Sequence, residues 1–74
     1  MYYTIAVLED VHNGQKFEFN KNGNEYTISL YDEESGVYVT KDYKTNEGAI
    51  KVYQRLMEAV LTGCYSFEQR KQFL

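Results

Sequence analysis

The chain has 74 residues, with eleven Asp and Glu against eight Lys and Arg, for a formal net charge of −3. That length holds one domain with a thin core, and a hydrophobic fraction of 43% with an aromatic fraction of 16% excludes a disordered tail. The acidic balance and scattered basic residues disfavour a duplex DNA or RNA binder, which clusters Lys and Arg to neutralise phosphates.

The first two-thirds read as strands. From Tyr2 to Glu9, Tyr3, Ile5 and Val7 fall on one face, expected to point inward, with Tyr2, Thr4, Ala6 and Leu8 on the other. His12-Asn13-Gly14-Gln15 supplies a turn. Lys16 to Asn20 alternates, with Phe17 and Phe19 inward. Asn22-Gly23 marks a second turn, after which Tyr26, Ile28 and Leu30 alternate against Glu25, Thr27, Ser29 and Tyr31. The acidic run Asp32 to Gly36 closes that strand, and Val37 to Tyr43 follows with Val37 and Val39 inward. Four strands joined by short turns imply an antiparallel meander.

The period then lengthens. Thr45 or Asn46 can cap a helix from Glu47 to Thr62, whose inward stripe is Ala49, Val52, Tyr53, Leu56, Met57 and Val60. Gly63 suits its C-terminal cap. Ser66 and Gln69 fit a capping box opening a short helix from Phe67 to Phe73. Arg70 and Lys71 then complement that helix's dipole. The expected fold class is α+β: a small antiparallel four-stranded β-meander, one long amphipathic helix packed on one face and a short C-terminal helix, with residues 1–74 as a single domain.

Little in the sequence carries chemistry. Cys64 and His12 form the one candidate nucleophile and base, but they lie far apart and no signature surrounds either. A single Cys excludes an internal disulfide and a Cys-based zinc site. Asp32, Glu33 and Glu34 lack the spacing of a calcium loop, and the glycines stand singly, with no phosphate-cradling loop. Neither metal nor cofactor is implied, and an enzyme is not expected. No stretch reaches the roughly 18 apolar residues of a membrane span, and the N-terminus lacks a basic region followed by an apolar run, so a cytoplasmic location is expected.

The informative feature is tyrosine placement. Tyr2, Tyr31 and Tyr38, interleaved with Thr4, Thr27 and Thr40, fall on the outward face, where an apolar body with a polar tip suits a surface alternately wet and covered. The same tyrosines also suit an ordinary half-exposed sheet, since Tyr and Thr are good strand formers. The expected function is a non-enzymatic protein-interaction or accessory domain with an acidic, tyrosine-rich surface. Its partner would be another protein or a second copy in a homodimer. In composition the chain resembles small accessory proteins of bacteria and their phages, including inhibitors of nucleic-acid-binding enzymes; that likeness implies a regulator offering carboxylates to a basic surface. The alternative is a single-stranded nucleic-acid binder that stacks bases on those tyrosines, against which Glu18, Glu25 and Asp42 would repel phosphate.

Overall fold

The computed structural model describes residues 2–74. In chain order the elements are β1 (Tyr2–Asp10), β2 (Gln15–Asn22), β3 (Glu25–Asp32), β4 (Tyr38–Tyr43), α1 (Asn46–Thr62) and α2 (Phe67–Lys71). The strands form one antiparallel sheet in the order β1-β2-β3-β4, an α+β meander with both helices on one side. No helix among the described residues is long and apolar enough to cross a membrane.

Alternation places Phe17 and Phe19 of β2 beside Ile28 and Leu30 of β3 on one face. Ala49, Tyr53 and Leu56 of α1 and Phe67 of α2 close over them. At the β2–β3 turn, Asn22 pairs with Glu25, so Gly23 and Asn24 form the loop, one residue later than the Asn-Gly dipeptide suggests. Gly23 carries the positive φ of 62°, as the first loop position of a type II′ hairpin requires. β4 starts at Tyr38 rather than Val37. Val37 is exposed, and its carbonyl accepts from the Asp32 N–H at 3.0 Å to close the turn.

Thr45 caps α1, its hydroxyl accepting from the Gly48 N–H at 3.1 Å. Gly63 ends it in the left-handed region at φ 68°. Cys64 N–H then donates to the Ala59 carbonyl and Gly63 N–H to that of Val60, the paired bonds of a Schellman closure. Ala49, Tyr53, Leu56 and Ala59 are buried, with Val52 and Val60 packed beside them. Met57, expected inward, is exposed: it lies about 100° round the helix from Leu56, beyond the edge of the buried stripe.

The face of β1 differs from the alternation read in the sequence. Thr4 pairs with Asn20 but Ala6 with Phe19, so a β-bulge lies between them at Ile5. The extra residue inverts every side chain after it. Tyr2 and Thr4 are outward as expected, but Ala6 and Leu8 turn in against the core and Val7 turns out. Tyr3, Ile5 and Val7, expected inward, are 48%, 44% and 49% exposed.

The second correction concerns α2. Its capping box forms, with Gln69 N–H donating to Ser66 Oγ at 3.3 Å and Ser66 N–H donating to Gln69 Oε1 at 2.9 Å. The helix ends at Lys71, however, and Arg70 is not a solvated charge at its terminus. It is completely buried. Its Nη1 donates to Asp10 Oδ2 at 2.7 Å and to Gln15 Oε1 at 2.6 Å. Nη2 donates to the Ala59 carbonyl at 3.3 Å and the Cys64 carbonyl at 2.9 Å, and Nε to the Cys64 carbonyl at 3.2 Å. All five guanidinium N–H groups thus find acceptors, and the Phe17 ring lies 5.8 Å from the guanidinium carbon. Arg70 ties the C-terminal helix to the β1–β2 hairpin and to the end of α1.

Candidate functional site

Because both helices pack on the Phe17 and Phe19 side, the opposite sheet face stays open. Cross-strand pairing lays that face out in rows. At one end Glu9, Lys16, Tyr31 and Tyr38 run across the four strands. Next come Val7, Glu18, Ser29 and Thr40, then Thr4, Asn20, Thr27 and Asp42. Tyr2, Asn22 and Glu25 close the far end. Tyr2, Tyr31 and Tyr38 all lie here, 59%, 37% and 57% exposed, with Thr4, Thr27 and Thr40 between them.

The three tyrosines do not form one patch. Tyr31 and Tyr38 face each other across β3 and β4. Tyr2 sits on β1 at the diagonally opposite corner, roughly 20 Å away by strand geometry. Tyr38 Oη also donates to Ser29 Oγ at 3.1 Å, fixing its ring over the next row.

The paired positions on this face carry four carboxylates, Glu9, Glu18, Glu25 and Asp42, against one ammonium, Lys16. Asp42 also accepts from the Thr27 hydroxyl at 2.8 Å. Other cations are held elsewhere. Lys41 belongs to the helix side, where its Nζ donates to the Leu74 carbonyl at 2.8 Å. Lys21 lies over the Tyr26 ring on that side, and Arg70 is buried in its ion pair.

Asn20 is a candidate site residue that alternation could not flag, because a polar outward residue in a strand draws no notice. In the centre of the face it is only 1% exposed, walled by the flanking rows, and neither its amide nitrogen nor its oxygen has a hydrogen-bond partner among the described residues. Such a group costs about 1–3 kcal/mol in the free protein. Asn20→Leu is therefore expected to raise the unfolding free energy by about 1 kcal/mol, since the apolar near-isostere leaves nothing unpaired. Denaturant melts check this; a loss of stability would show that the amide is bonded in solution.

The remaining candidates hold less. Cys64 is exposed, its thiol 3.9 Å from the Thr62 carbonyl. It borders a cleft of about 470 Å³ with Arg55, Glu58, Thr62, Tyr65 and Phe73, a lining with no histidine beside the thiol. Tyr65 there has a left-handed backbone at φ 68° and meets Phe73 edge-on at 5.1 Å. In the acidic turn, Asp32 accepts from the Ser35 N–H and hydroxyl, and no cluster of three or more metal-ligating side chains occurs among the described residues. Compared with protein families, with curated proteins and with solved structures, the chain finds no match.

Proposed function

We propose that the chain is a non-enzymatic protein-interaction domain that holds its partner on the open face of the sheet. The observation that carries this reading is the Tyr31–Tyr38 pair, two large, half-apolar rings set opposite each other on a face that no other element covers. Tyrosine supplies contact area at low entropic cost, and exposed aromatic surface of this kind commonly marks interaction sites.

The single-stranded nucleic-acid alternative requires cations round the stacking rings. Lys16 alone answers that need on this face, against four carboxylates. A second copy laid face to face would set four carboxylates against four. Edge-to-edge pairing of two β1 strands meets a different obstacle, because the bulge at Ile5 changes which face each side chain takes halfway along.

Tyr31→Ser/Tyr38→Ser is expected to stay folded, losing about 1 kcal/mol with the Tyr38–Ser29 hydrogen bond. It should capture its partner from a native lysate about tenfold less than wild type, the loss of two interface anchors. Leu61→Ser, at an exposed position of α1, serves as the control and should capture normally. If wild type captures nothing that the tyrosine variant misses, the open face is not the binding surface.

A further inference from the structure

Resting on the open face as the binding surface, we infer that the partner is a cationic protein segment, seated across Tyr31 and Tyr38 with Lys or Arg side chains against Glu9, Glu18 and Asp42. Three independent features of the face point there. Its carboxylates outnumber its ammonium groups four to one, and the rows place Glu18 on the strand beside Tyr31, Glu9 one strand further, and Asp42 on the same strand as Tyr38. This imbalance is local, because Lys41 and Arg70 are engaged on the helix side and Lys71 pairs with Glu68 at 3.0 Å. A face of one sign draws a partner of the other and repels its like.

The tyrosine rings are the second feature. An aromatic face attracts a guanidinium or ammonium placed over it, most strongly once water is excluded. In their row Lys16 stands between Glu9 and Tyr31, and the carboxylate nearest the rings is Glu18, one strand and one row from Tyr31, so an arginine reaching Tyr31 from the centre of the face meets Glu18. The third is Asn20, a buried amide on the same face with both polar atoms unpaired. Natural chains break such local rules mainly at functional sites, and this group lies on the face the partner would cover. Phosphates and a second acidic copy fit none of these three features together.

The test uses a fluorescein-labelled peptide of alternating Arg and Ser, about six residues long to span the four strands, with an alternating Glu and Ser peptide and an oligodeoxythymidine as the other probes. Fluorescence anisotropy should show the arginine peptide binding wild type, with affinity falling as salt rises, and neither other probe binding. Glu18→Lys/Asp42→Lys should weaken the arginine peptide about tenfold or more. Glu47→Lys/Glu58→Lys, which changes net charge equally at exposed positions of α1 on the other side of the sheet, should weaken it less than about threefold. The isosteric Glu18→Gln/Asp42→Asn keeps the test valid if the reversal disturbs folding, and a weakening of about threefold or more is expected of it.

Equal weakening by the face and helix reversals overturns the inference, since net charge alone would then account for binding. So does oligodeoxythymidine binding in place of the peptide, or a dimeric mass by sedimentation with the tyrosine variant monomeric. If the arginine peptide fails to bind while capture still depends on Tyr31 and Tyr38, the cationic partner is wrong and the open face stands. If capture too is indifferent to the tyrosines, both fall.

Discussion

Arg70→Ala is expected to destabilise the protein by about 3–5 kcal/mol, the cost of breaking a buried ion pair by removing one partner. The change strands Asp10, buried with Arg70 as its ion-pair partner. It also takes donors from Gln15 and from the Ala59 and Cys64 carbonyls, and α2 loses its tie to the hairpin. Asn13 still donates to Asp10 through its amide at 2.9 Å, which keeps part of the carboxylate solvated. Arg70→Lys should recover only a fraction, because a single ammonium cannot reach acceptors on three elements. Urea denaturation at neutral pH measures both, and a loss below about 1 kcal/mol for Arg70→Ala would mean the pair is solvated.

The same pair sets an acid dependence. Burial by itself pushes the Asp10 carboxyl up, but hydrogen bonds from Arg70 and Asn13 and the Arg70 charge outweigh it, leaving the group below the ordinary 3.8. A carboxyl lowered on folding contributes stability that is fully present above its unfolded value and is lost as pH falls through its folded value. Wild type should therefore lose stability below about pH 4, and Arg70→Ala should lack that component.

Leu56→Ala should cost about 2–5 kcal/mol, a cavity cost added to the lost transfer energy. Leu56 is completely buried among Phe17, Ile28 and Leu30, midway along α1. In a chain this short such a loss is a large part of the total, which at roughly 0.05–0.15 kcal/mol per residue comes to a few to about 11 kcal/mol. Met57→Ala, one residue on but exposed, should cost less than about 1 kcal/mol. The contrast fixes which side of α1 meets the sheet, and equal effects from the two would contradict the packing described.

The helix, its caps and the meander were legible because each rests on local chemistry. Thr45, Gly63 and the Ser66–Gln69 box act within a few residues, and Phe17, Phe19, Ile28 and Leu30 alternate without interruption. β1 was legible only as far as Thr4. Its bulge depends on how Ile5 fits against β2, and strict alternation carried past it puts Val7 on the wrong face. Arg70 was unreadable for another reason: its partner Asp10 lies 60 residues away, and a charged residue near a helix C-terminus reads by default as solvated. The outward positions of Tyr2, Tyr31 and Tyr38 followed from period two, but their separation into a pair and a distant corner needed the register. Asn20 became visible only once burial and hydrogen bonding were counted together.

The open face is tested most directly by methyl NMR, because methyl groups distinguish the two sides of a sheet that backbone amides share. Thr4, Val7, Thr27 and Thr40 report the open face, while Ala49, Leu56, Ile28 and Leu30 report the helix side. Titration with the arginine–serine peptide should shift the open-face methyls, those of Thr40 and Val7 beside the tyrosine row most, and leave the core methyls in place. Shifts confined to Ala59 and Thr62, which border the cleft at the end of α1, would place the partner on the opposite side and contradict the account.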